Sequence, residues 1–98
     1  MTSTAKILLI GTADTKADEL LYLQRCIEAQ GAAASIMDVG VLGTPSFAPA
    51  IPNHAVAAAA HTTLEALAAS GDENAAMTKM AEGAVALALD LYARGEAH

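Results

Sequence analysis

The sequence predicts an α/β fold built on two parallel strands, and three observations predict it. The run Lys6-Ile7-Leu8-Leu9-Ile10-Gly11 is apolar at consecutive positions, as expected of a parallel strand buried on both faces. Thr12-Ala13-Asp14-Thr15-Lys16 follows as a tight polar loop, and a helical pattern begins at once. A second strand is predicted over Ala33 to Asp38, carried by Ile36, Met37 and Val39 against the weak strand preference of Ala-Ala-Ala-Ser.

The remaining elements follow in order. Asp14 or Thr15 caps the first helix, and Asp18 and Glu19 sit in its first turn, where negative charge is favoured. Its apolar stripe is Leu20, Leu23 and Ile27; it runs to about Gln30, and Gly31 supplies a left-handed stop. Gly40 to Pro52 is a loop broken by Gly40, Gly43, Pro45, Pro49 and Pro52, and loops this long tend to be functional or to pack over something. Asn53 caps a short alanine-rich helix over 54–60. Thr62 and Glu65 have capping-box spacing for another helix to about Ala69, which Ser70-Gly71 ends. Asp72 then caps a long helix to Arg94, with Gly95 as its stop and Met77, Met80, Ala84, Leu87 and Leu91 as its stripe.

Together these elements describe a partial Rossmann-like or flavodoxin-like unit spanning residues 1–98 as one incomplete subdomain. Two parallel strands make a marginal sheet. The expectation is therefore that the chain is the N-terminal part of a larger domain, or that a second copy completes it as a homo-oligomer.

Composition narrows the function classes. With 54% hydrophobic and 16% charged residues the chain is globular rather than disordered. Phe47, Tyr22 and Tyr92 are its only aromatics, so alanine fills much of the core, which should be helix-rich and thin. A net charge of −6 with five scattered basic residues argues against a nucleic-acid surface. The single Cys26 cannot form an internal disulfide, which fits a reducing compartment. No signal-peptide core or bilayer-length apolar run occurs, so a cytoplasmic location without membrane contact is expected.

The loop after the first strand is the candidate site, because ligands of open α/β sheets sit at the carboxyl ends of the strands. Gly11 would allow close backbone approach, Thr12 and Thr15 offer hydroxyls, and Lys16 offers a point charge. The helix N-terminus beyond Asp14 favours an anion such as phosphate. The loop matches neither a Walker loop nor the Gly-x-Gly-x-x-Gly fingerprint, and an ordinary strand-to-helix turn is the competing reading. Asp38 ends the second strand beside Gly40, where an acid can bind a ribose hydroxyl or simply form the turn.

Other chemistry-bearing residues read as structural. His54 and His61 would lie ~10 Å apart along a helix, too far to share one metal ion. His98 is terminal and expected to be disordered. Cys26 lacks a neighbouring base, and Ser46 lacks a nucleophile elbow. Met77 and Met80 read as packing. No residue reads as a catalytic base, nucleophile or metal cluster, and the residues support no enzyme assignment.

Three groups of residues, in order, carry a family resemblance: Ile10-Gly11-Thr12-x-Asp14-Thr15-Lys16 with Glu19-Leu20-x-Tyr22-Leu23; Asp38-Val39-Gly40-Val41-Leu42-Gly43 with Phe47-Ala48-Pro49; and Gly71-Asp72 with Met80-Ala81-Glu82-Gly83-Ala84. Across essentially the whole chain this resembles the N-terminal segment of the ATP-binding family of the tomato mosaic virus RNA-replication inhibitor. The resemblance implies part of a nucleotide-binding domain for ATP, with Mg²⁺, placing Gly11, Thr12, Asp14, Thr15, Lys16, Asp38 and Gly40 at the phosphate or ribose. It also implies a longer protein, continuing with a strand and a Gly-Gly-Ser-Gly-Gly-Thr-like phosphate cradle. Ala17 and Asp18 depart from the usual Gly-Glu, and Thr44 from a common proline, leaving the charge pattern of the loop intact. Two other classes compete: an oligomerisation module with no ligand of its own, and one wall of a small-molecule enzyme site.

Overall fold

A computed structural model describes residues 4–98. Strands β1 (Lys6–Gly11) and β2 (Ala33–Asp38) pair in parallel, in register from Lys6 beside Ala33 to Gly11 beside Asp38. Four helices follow the chain order: α1 (Ala17–Ala29) between the strands, then α2 (Asn53–Ala59), α3 (Leu64–Ser70) and α4 (Glu73–Ala93). The two-stranded sheet is not closed, and the architecture is that of a partial Rossmann-like unit.

Strand periodicity divides the core in two. Leu9 and Ile36, partners across the sheet, pack with Ala13 and with Leu20 of α1 on one face. On the other face Met37 packs with Val56, Ala57, Leu67, Ala76, Met80 and Ala84 from α2, α3 and α4. Helices thus lie on both sides, as parallel pairing requires. β1 is nevertheless less buried than its apolar run predicts. Leu9 is buried, but Ile10 stays 49% exposed. Ile51 adds a one-residue continuation of the sheet on the outer side of β2, donating to the Ile36 carbonyl at 3.1 Å and accepting from Asp38 N–H at 3.0 Å.

Several local expectations are corrected. Neither Asp14 nor Thr15 caps α1; Lys16 occupies that position without a side-chain bond, because its N–H is already given to the Thr12 carbonyl at 2.8 Å. Asn53 lies inside α2, after a Pro52 cap, and spends its amide on the Gly40 carbonyl at 2.9 Å. Thr63, not Thr62, caps α3 by accepting from Ala66 N–H at 3.1 Å. Asp72 caps α4 as expected, accepting from Ala75 N–H at 3.0 Å, and Gly31 has the predicted positive φ of 90°.

Two helical stripes also sit differently. α1 turns Leu20, Gln24 and Ile27 toward the sheet, with Gln24 donating to the Ala34 carbonyl at 2.9 Å, and leaves Leu23 47% exposed. On α4 the buried residues are Ala76, Met80, Gly83 and Ala84, while Met77 is 69% exposed. Gly83 faces the backbone carbonyl of Val56 so closely that a Cβ there would overlap it, which sets the α2–α4 crossing. His98 is ordered against β1: its N–H donates to the Lys6 carbonyl at 2.8 Å, and its Nδ1 accepts from Lys6 N–H at 3.1 Å. Among the described residues no helix is long and apolar enough to cross a membrane.

Candidate functional site

A cleft of about 500 Å³ opens at the carboxyl ends of β1 and β2, where the sequence places a ligand. One wall is the β1–α1 loop, through Thr12, Asp14 and Thr15. A second is the segment after β2, Val39 to Leu42. The third is the α3–α4 junction, including Leu67, Ala68, Asp72 and Met77. Most of the lining is aliphatic, with polar groups concentrated in the β1–α1 loop and at the start of α4.

Asp38 organises this arrangement. It is buried, and its Oδ1 accepts from Ala13 N–H at 3.0 Å and from Gly40 N–H at 2.9 Å. The two loops that flank the cleft are therefore tied to one carboxylate oxygen. Asn53 adds a third tie through the Gly40 carbonyl. Thr12 and Thr15 share a hydroxyl–hydroxyl bond of 2.8 Å at the mouth.

Asp14 stands differently. Its carboxylate is wedged between Gly40 and Gly43: a Cβ at Gly40 would come within 2.8 Å of Oδ1, and one at Gly43 within 2.8 Å of Oδ2. Gly43 also has φ of 82°, so glycine serves both the turn and the close approach. Oδ1 is shielded from solvent and has no hydrogen-bond partner among the described residues. A buried carboxylate oxygen left unpaired is costly and marks a place to look for a missing partner.

The sequence-selected residues divide accordingly. Thr12, Asp14, Thr15 and Gly40 converge on the cleft. Gly11 faces away from it, where a Cβ would press on Leu20 at 3.0 Å, so its missing side chain makes room for α1. Lys16 is exposed at the start of α1 and is not part of the lining. Asp38 lies behind the lining as the tie described above. The aliphatic wall from Val41, Leu42, Leu67 and Met77 was missed by sequence reasoning, since these residues are far apart in sequence. The unusually long loop after β2 was the one available signal.

The lining tests the fit of a nucleotide. It carries Asp14, Asp72 and Glu73, and among the described residues no lysine or arginine lines it. An aliphatic surface beside hydrogen-bond acceptors suits a base and a ribose; it offers no cation to a triphosphate. Among the described residues no three His, Cys, Asp or Glu side chains gather as metal ligands.

Residues 5–98 match the family described as uncharacterised protein family UPF0261, N-terminal domain. A UPF0261 protein of Brucella suis biovar 1 is 50% identical over 95 residues, covering 97% of this chain and 23% of the relative. A UPF0261 protein of Brucella melitensis is 48% identical over the same shares, and one of Clostridium tetani is 34% identical over 82 residues, 20% of its length. The chain thus spans about a quarter of the length of these relatives or less, and their names state no activity. No solved structure matches the chain significantly.

Proposed function

The chain belongs to the UPF0261 family as its N-terminal domain, and from that premise we propose that it forms one side of a nucleotide site, with ATP as the nucleotide. One observation carries this reading: a cleft at the carboxyl ends of parallel strands gathers Thr12, Asp14, Thr15 and Gly40 beside an aliphatic wall. The resemblance of the Gly11–Lys16 and Asp38–Gly43 motifs to an ATP-binding family supports the nucleotide class. Because the lining is acidic and aliphatic, this domain holds the nucleoside. The phosphates, with Mg²⁺, extend past the Thr12–Thr15 hydroxyls toward groups supplied by the remainder of the longer protein.

Thermal unfolding of the full-length protein tests the reading. Millimolar ATP with Mg²⁺ raises the melting temperature, by mass action on the native state. Ala68→Trp places a large ring in the cleft from an exposed position on α3 and removes that rise. An unchanged melting temperature in both proteins refutes nucleotide binding.

A second reading rests on a separate observation. Val85, Leu89 and Tyr92 are exposed on α4 at helical spacing, an unpartnered apolar stripe that suits a second copy or the remainder of the longer protein. This reading makes the domain an interaction surface, and it is compatible with the cleft.

A further inference from the structure

We propose that Asp14, not Asp38, is the acceptor that recognises the ribose hydroxyls, and that the Gly40–Gly43 segment moves off Asp14 to admit them; this rests on the nucleotide reading above. The two acids differ in what they have left to offer. Asp38 Oδ1 already receives two backbone N–H groups, and the residue is 2% exposed behind the lining. Asp14 lines the cleft, and its Oδ1 has no donor among the described residues. Each uncovered backbone donor nearby is spent: Ala13 and Gly40 N–H on Asp38, and Lys16 N–H on the Thr12 carbonyl. The carboxylate therefore waits for a donor from outside the domain, and hydroxyls are the donors that a nucleoside presents beside its base.

The cover over Asp14 has the composition of a movable segment. Gly40 and Gly43 approach the carboxylate with only hydrogens between, and Leu42 stands 65% exposed between them. Asn53 and Asp38 anchor the Gly40 end, so the hinge lies at Gly40 and the moving part is Val41–Gly43. When a ribose enters, its hydroxyls replace the glycine hydrogens against Asp14, and Leu42 closes over the sugar.

Calorimetric titration of the full-length protein with ATP, 2′-deoxy-ATP and 3′-deoxy-ATP tests the assignment without any substitution. ATP binds on the order of tenfold more tightly than at least one deoxy analogue, as loss of a hydrogen bond to a charged acceptor predicts. In Asp14→Asn the preference for the hydroxyl narrows or vanishes, whereas a purely structural Asp14 would change stability and leave the ratio untouched. Equal affinity of the unsubstituted protein for all three nucleotides overturns the ribose assignment while the nucleotide reading stands. Failure of ATP itself to bind overturns both.

Discussion

One oxygen of Asp38 joins the two loops that shape the cleft, and the chemistry of that joint fixes what substitution does. Asp38→Ala leaves the Ala13 and Gly40 N–H groups buried without acceptors. A loss of about 2–4 kcal/mol is expected from two charge-assisted bonds, read as a lowered urea midpoint. Asp38→Asn keeps one acceptor oxygen and costs less. A loss below about 1 kcal/mol for Asp38→Ala would show that the loops are held by something else. The acidic pair was visible in the sequence as Asp14 and Asp38, but their roles were not. Proximity to Gly40 and the pairing of each oxygen depend on how the two loops meet, and no local pattern encodes that meeting.

At the scale of elements, the α2–α4 crossing carries the lower half of the core. Gly83 lets α4 approach the Val56 carbonyl, and Met80 and Ala84 fill the space on either side of it. Gly83→Ala forces the helices apart and should cost about 1–3 kcal/mol despite the better helix propensity of alanine. A neutral or stabilising effect in denaturant unfolding would mean that the crossing is looser. Strands, helices and most stops were legible, since the apolar runs, Gly31 and Asp72 act locally. Caps shifted where a neighbour competed: the Lys16 N–H was claimed by Thr12, and the Asn53 amide by Gly40. Leu23 and Met77 were assigned to buried stripes by spacing alone. Spacing cannot tell which flank of a helix meets the sheet and which borders a cleft.

The whole molecule is a slab of 49 × 29 × 18 Å, with a radius of gyration of 14.0 Å against about 13 Å for a typical domain of 100 residues. A sheet of two strands cannot cover the helices that flank it, which is why Val85, Leu89 and Tyr92 remain exposed along α4. The sequence announced this imbalance through its strand count, and the aliphatic cleft follows from the same geometry. The 98-residue chain alone should sediment as a dimer or larger. Leu89→Asp combined with Tyr92→Asp should return it to a monomer; a monomer before substitution would remove α4 as an interface. The central claim concerns the ends of the strands, and a crystal structure of the full-length protein grown with ATP tests it most directly. The nucleoside should lie in the cleft, with a ribose hydroxyl within hydrogen-bond distance of Asp14 and Leu42 folded over the sugar. ATP bound elsewhere, with Asp14 still sealed beneath Gly40 and Gly43, would contradict it.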